Sequence, residues 1–181
     1  KDAIYLLQQS LQGLQEAGVT AESIQLAVTQ KTMASALIAD DRFTDALKLY
    51  KDLEKTLQTY PETAKFVDLD SPDRVMALIR TGDLAHAEAV ARQLVAVNEA
   101  QTGKSSKLTT QSKLLLSVTL AEQNKDEAAQ ALFASSINEL IEQEREASSD
   151  SDGISTKDKK FLAGYVESYL GVLSRAYEKN P

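Results

Sequence analysis

Apolar residues recur along this chain at three- and four-residue spacing, and no stretch shows the sustained alternation of a strand. Ile4, Leu7, Leu11 and Leu14 mark one face of a first helix, which should stop near Gly18. Ile24, Ala27, Val28, Ala34, Leu37 and Ile38 mark a second, and Phe43, Ala46, Leu47, Tyr50, Leu53 and Leu57 a third that ends before Pro61. A fourth is expected between Thr63 and Thr81, broken or restarted at Pro72 with Ser71 as its cap. Further helices are predicted over Leu84 to Ala100, Leu108 to Gln123, Glu127 to Glu146 and Thr156 to Glu178. The polar run from Ser148 to about residue 156 reads as an acidic loop. Eight helices with short joints and no strands predict an all-α fold.

Three stretches repeat one another. Each is a helix end, a polar turn and a helix start: Ala36 to Ala46, Ala77 to Ala87 and Val118 to Ala128. The small residues Ala46, Ala87 and Ala128 sit at a common place, with both intervals 41 residues. A small side chain there lets two antiparallel helices approach, and a larger one a turn later fills the groove. Tyr50 and Leu132 hold that place in the first and third units, Ala91 in the second, followed by Leu53, Leu94 and Ser135. Upstream, Leu37, Leu78 and Thr119 coincide, as do Ala34, Val75 and Leu116.

This pattern resembles the tetratricopeptide repeat, a helix–turn–helix unit with a usual period of about 34 residues. The units here are longer by roughly two helical turns. They look most like the long-unit variant of kinesin light chains and of bacterial multi-repeat regulators, with Leu94 to Gly103 similar to the end of a long second helix. The resemblance covers about Gln30 to Glu142. HEAT and armadillo repeats have similar lengths, but the small anchor and tight polar turn suit the tetratricopeptide unit better. The resemblance implies a right-handed superhelical solenoid fragment: a half-unit over 1–18, units over about 20–60, 61–103 and 105–147, and a half-unit over 157–181. Bacterial arrays of this kind often precede a caspase-like peptidase domain of the CHAT type, so the resemblance also implies a sensor or regulatory region of a larger protein.

In that family the first helix of each unit lines the concave, ligand-binding side. The resemblance therefore implies contact positions at Lys31, Ser35 and Ala39, at Asp73, Met76 and Arg80, at Thr110, Lys113, Ser117 and Ala121, and at Arg175 and Lys179. Lys31, Arg80, Lys113 and Arg175 would form a basic stripe able to accept an acidic peptide or a terminal carboxylate. The plainer reading of the same residues is an ordinary solvated helix face.

Composition narrows the function classes. The 181 residues contain no cysteine, one histidine and no tryptophan, with a net charge of −7. Thiol nucleophiles, thiolate metal sites and disulfides are excluded, and the acidic balance argues against nucleic acid. The lack of cysteine fits a cytoplasmic or an exported protein. No apolar run reaches the roughly 20 residues of a membrane helix. There is no glycine-rich phosphate loop and no nucleophile elbow. His86 lacks a second ligand of its own kind, and Asp150 to Gly153 fails as a calcium loop because Ser148 and Lys159 stand where acids are required. Glu139, Glu142, Glu144 and Glu146 read as a solvated acidic helix end, and Tyr165, Tyr169 and Tyr177 as a packing stripe. No cofactor or metal is expected. The sequence thus predicts a non-catalytic scaffold that binds a protein or peptide. The alternative is an assembly module whose end helices, through Leu7, Leu11 and Leu14 or Tyr169 and Leu173, pair with a second copy.

Overall fold

A computed structural model of the chain describes residues 2–148 and 156–179. Helices joined by turns and short loops make up the described residues, with no strand among them, and the chain forms two compact units, Lys1–Asp83 and Leu84–Pro181. The boundary falls inside the stretch expected to form the second repeat.

The first unit holds α1 (Asp2–Glu16), α2 (Ile24–Ala39), α3 (Phe43–Thr59), α4 (Pro61–Ala64) and α5 (Pro72–Arg80). Helix α2 packs on α1 and α3, and α5 packs on both α2 and α3. The expected fourth helix is two pieces. Pro61 opens the single turn of α4, and Thr63 anchors it by donating to the Glu22 carbonyl. The segment after α4 is not helical but sends Val67 and Leu69 into the core formed by Ala27, Ala34, Leu37, Ala46, Tyr50 and Leu53. Helix α5 then starts at Pro72, where no N–H is needed, and the Ser71 hydroxyl accepts from the Arg74 N–H at 3.2 Å. Ile24 and Val28, expected on the buried face of α2, are more than two-fifths exposed. Leu7 and Leu11, expected as an open end face, instead pack against the core.

The second unit holds α6 (Leu84–Thr102), α7 (Lys107–Glu122), α8 (Asp126–Ser148) and α9 (Thr156–Lys179). Helix α7 is central, touching α6, α8 and α9. Leu114, Leu115, Leu116 and Leu120 are therefore buried together with Thr109, Thr110, Ser112, Ser117 and Thr119. Buried hydroxyls require partners. Those of Ser112, Ser117 and Thr119 donate to carbonyls one turn back within α7, at 2.8–3.0 Å, which lets a polar-looking helix run through a core. The expected loop lies largely outside the described residues.

One local motif closes α2, α5 and α7 alike. Asp41, Gly82 and Asn124 adopt left-handed backbone, with φ of 58°, 81° and 58°. In each case that residue's N–H bonds the carbonyl three residues back, at 3.0 Å. The following N–H bonds the carbonyl five residues back, on Leu37, Leu78 or Leu120, at 2.9–3.0 Å. This is the Schellman closure, and a glycine, asparagine or aspartate suits its left-handed position best. The spacings are 41 and then 42 residues.

The third repeat is thus shifted by one residue from the sequence expectation. Ala128 is exposed and Leu132 only half-buried. Their places are taken by Ala129 and Phe133, both fully buried. In the corrected register Ala46, Ala87 and Ala129 coincide, as do Tyr50, Ala91 and Phe133, Leu53, Leu94 and Ser136, and Ala34, Val75 and Ser117; every one is buried. Leu37 and Leu78 pair with Leu120, not Thr119.

Candidate functional site

In the first unit the expected contact residues lie on two helices that pack on each other. Lys31, Ser35 and Ala39 lie on α2, and Asp73, Met76 and Arg80 on the adjacent α5. Asp73, Ala39 and Arg80 are exposed; Lys31, Ser35 and Met76 are half-buried. Ile24 and Val28 extend the α2 line at the same helical spacing, so the face runs from an apolar end through Lys31 to small residues. The apolar identity of Ile24 and Val28 at helical spacing predicts a place in the core. The missed cue is their position one flank away from Ala34 and Leu37.

Arg80 stands at the end of this face and also borders an open groove of about 370 Å³ lined by Asp41, Arg42, Phe43, Asp45 and Thr81. Arg42 in that groove is held by Asp45 at 2.6 Å. Arg80 makes no ion pair with any described residue, which leaves its guanidinium available. At the other side of α5, Arg74 is largely buried. It pairs with Glu54 and Asp70 and lies over the Tyr50 ring, 5.4 Å from its centroid. Burial raises the pKa of Asp70 above the ordinary carboxylate value, Asp68 and Glu54 raise it further, and Arg74 and Lys31 pull it down. Lys31 therefore shares its field with Asp70 while remaining partly open.

The second unit treats its predicted residues differently. Ser117, Thr110 and Ala121, expected on an exposed face, are buried, because α7 is covered on three sides and Ser117 occupies the core position of Ala34 and Val75. Lys113 is mostly buried; its ammonium lies 3.8 Å from Glu99 and 3.6 Å from Glu139 and donates to the Lys104 carbonyl at 3.0 Å. Around it Thr110 donates to Glu139, and Gln143 donates to Thr110 and to the Ser105 carbonyl. Arg175 is committed as well, to the buried Asp126 at 2.9 Å and to the Ala121 carbonyl at 3.3 Å. Lys113 and Arg175 therefore bind α6, α7, α8 and α9 to one another, and the expected basic stripe does not extend into this unit as free charge. The side chain of Lys179 lies outside the described residues.

His86 lies on α6. Among the described residues no group of three or more His, Asp or Glu side chains is placed to hold a metal ion, and no helix is long and apolar enough to cross a membrane. No protein-family model matches the sequence, and no curated protein matches it.

Proposed function

We propose that this chain is a non-catalytic recognition module of the tetratricopeptide type, which binds an extended, partly acidic peptide along the α2–α5 face of its first unit. The repeat reading is supported by the thrice-recurring Schellman closure and the buried positions that travel with it. The observation that carries the functional reading is the uncommitted Arg80 on the same face as Lys31, Ser35 and Met76. A carboxylate docked at Arg80 gains charge-assisted hydrogen bonds that no described residue already takes. Met76, one turn before Arg80 on α5, offers apolar contact beside it, Ile24 and Val28 offer it at the far end of α2, and Ser35 and Ala39 are small enough for a peptide backbone to lie close. Helices packed on a shared core hold these groups in place before binding, so little ordering entropy is lost by the receptor. As the repeat region of a CHAT-type peptidase, such a module would be the sensor that recognises the activating partner.

A peptide array tests this. The wild-type chain should retain acidic peptides with an apolar residue near the acid, and the double variant Lys31→Glu/Arg80→Glu should lose them by about tenfold or more in affinity. Equal retention by both proteins would remove the α2–α5 face from the account.

A further inference from the structure

Helix α9 carries two apolar lines. One is used: Tyr165 and Val172 are buried, Tyr169 packs on Phe133 with ring centroids 5.3 Å apart, and Arg175 anchors the same side to Asp126. The other line is Val166, Leu170, Leu173 and Tyr177, spaced four, three and four residues apart. Val166, Leu170 and Tyr177 are 36%, 58% and 72% exposed, and Leu173 is half-buried. Four-three-four spacing is the seam of a helix that packs along another helix. The spacing also reads the same from either end. A two-fold axis between Leu170 and Leu173 therefore sets Leu170 against Leu173 and Val166 against Tyr177 of an antiparallel copy, pairing a small residue with a large one.

Charge favours the same occupant, and α1 offers no alternative. Between Ala163 and Tyr177 the only charged residues are Glu167 and Arg175. Arg175 is already paired within the chain, and Glu167 would face Ser174 of the copy, so no like charges oppose. Joining copies head to tail would need a matching apolar line elsewhere. On α1 the exposed Tyr5 and Leu6 are followed along their lines by Gln9, Gln12, Glu16, Ser10 and Gly13, all exposed. A self-complementary patch is the requirement for a closed, two-fold dimer. We infer that α9 is a self-association surface, and that its outer line seats the α9 of a second copy in antiparallel register.

Sedimentation velocity on the full chain over a concentration series reads the outcome directly. A monomer–dimer equilibrium is expected, and Leu170→Glu should weaken it by about tenfold or more. The α1 control Tyr5→Glu should leave it unchanged. Leu170 is exposed, so the variant should keep its helical circular dichroism; Tyr177→Glu repeats the test at the other end of the seam. Because the chain has no cysteine, orientation can be read by mixing Leu170→Cys and Leu173→Cys chains under oxidising conditions. Mixed disulfides should exceed either homodisulfide. A monomer at every concentration, a dimer indifferent to Leu170→Glu, or a predominance of 170–170 homodisulfide would overturn the proposal.

Discussion

Placing one leucine at either of two adjacent alanines separates the register seen in α8 from the one expected by equal spacing. Ala129 has no exposed surface where α8 meets the central α7, whereas Ala128 faces solvent. Ala129→Leu inserts three carbons into a packed contact, where overfilling costs about 1–3 kcal/mol. Ala128→Leu adds the same carbons to open surface, where changes stay within about 0.5 kcal/mol. With a urea dependence of about 2 kcal/mol per molar, Ala129→Leu should lower the unfolding midpoint by about 1 M and Ala128→Leu by less than about 0.3 M. Urea titration followed by far-UV circular dichroism measures both. The reasoning fails if Ala128→Leu is the more damaging change, or if the two midpoints fall together.

Other expectations follow from single contacts. Removing Arg175 with alanine leaves the buried Asp126 without its guanidinium, which should cost about 1–3 kcal/mol; hydrogen exchange should show α9 amides losing protection before those of α7. The Ser136 hydroxyl is buried with no partner, at a place where the other units carry Leu53 and Leu94. Ser136→Ala should therefore raise stability by about 0.5–1 kcal/mol in the same urea titration. Glu88 is held down to a pKa of about 2, chiefly by hydrogen bonds from Lys125 and Arg92. A carboxylate with a depressed folded pKa contributes stability that is full above its unfolded value near 4.5 and disappears as pH falls toward about 2. Both cations are about half exposed or more, so solvent screening limits the contribution to about 1 kcal/mol. Glu88→Gln should lose that amount at pH 7 and flatten the thermal-melting profile between pH 5 and about 2.

Helix placement was largely legible because its signals are local. Gly18 follows the end of α1 with positive φ, Ser71 and Pro72 start α5, and Gly103 follows α6. The third unit's register was not fixed by equal spacing. Thr119 and Leu120, or Ala128 and Ala129, satisfy the pattern about equally, and the discriminating cue is Asn124, which shares left-handed backbone with Asp41 and Gly82. Ser117 misled because a hydroxyl that bonds its own helix costs little to bury, so polarity ceases to report exposure. Lys113 misled for a different reason. Its partners Glu99 and Glu139 come from α6 and α8, and only tertiary packing brings them together. On the α2–α5 face Lys31, Ser35, Met76 and Arg80 were expected only through the tetratricopeptide resemblance; the first three are half-buried and Arg80 is exposed, while Ile24 and Val28 were hidden by an apolar identity that suggested burial.

Amide chemical-shift mapping of an acidic peptide taken from the array onto the isotope-labelled chain bears most directly on the recognition role. The account predicts perturbations concentrated at Lys31, Ser35, Met76 and Arg80, with Ile24 and Val28 at the apolar end and the α7 interior unmoved. Perturbations confined to α6–α9, or spread without preference for the α2–α5 face, would contradict it.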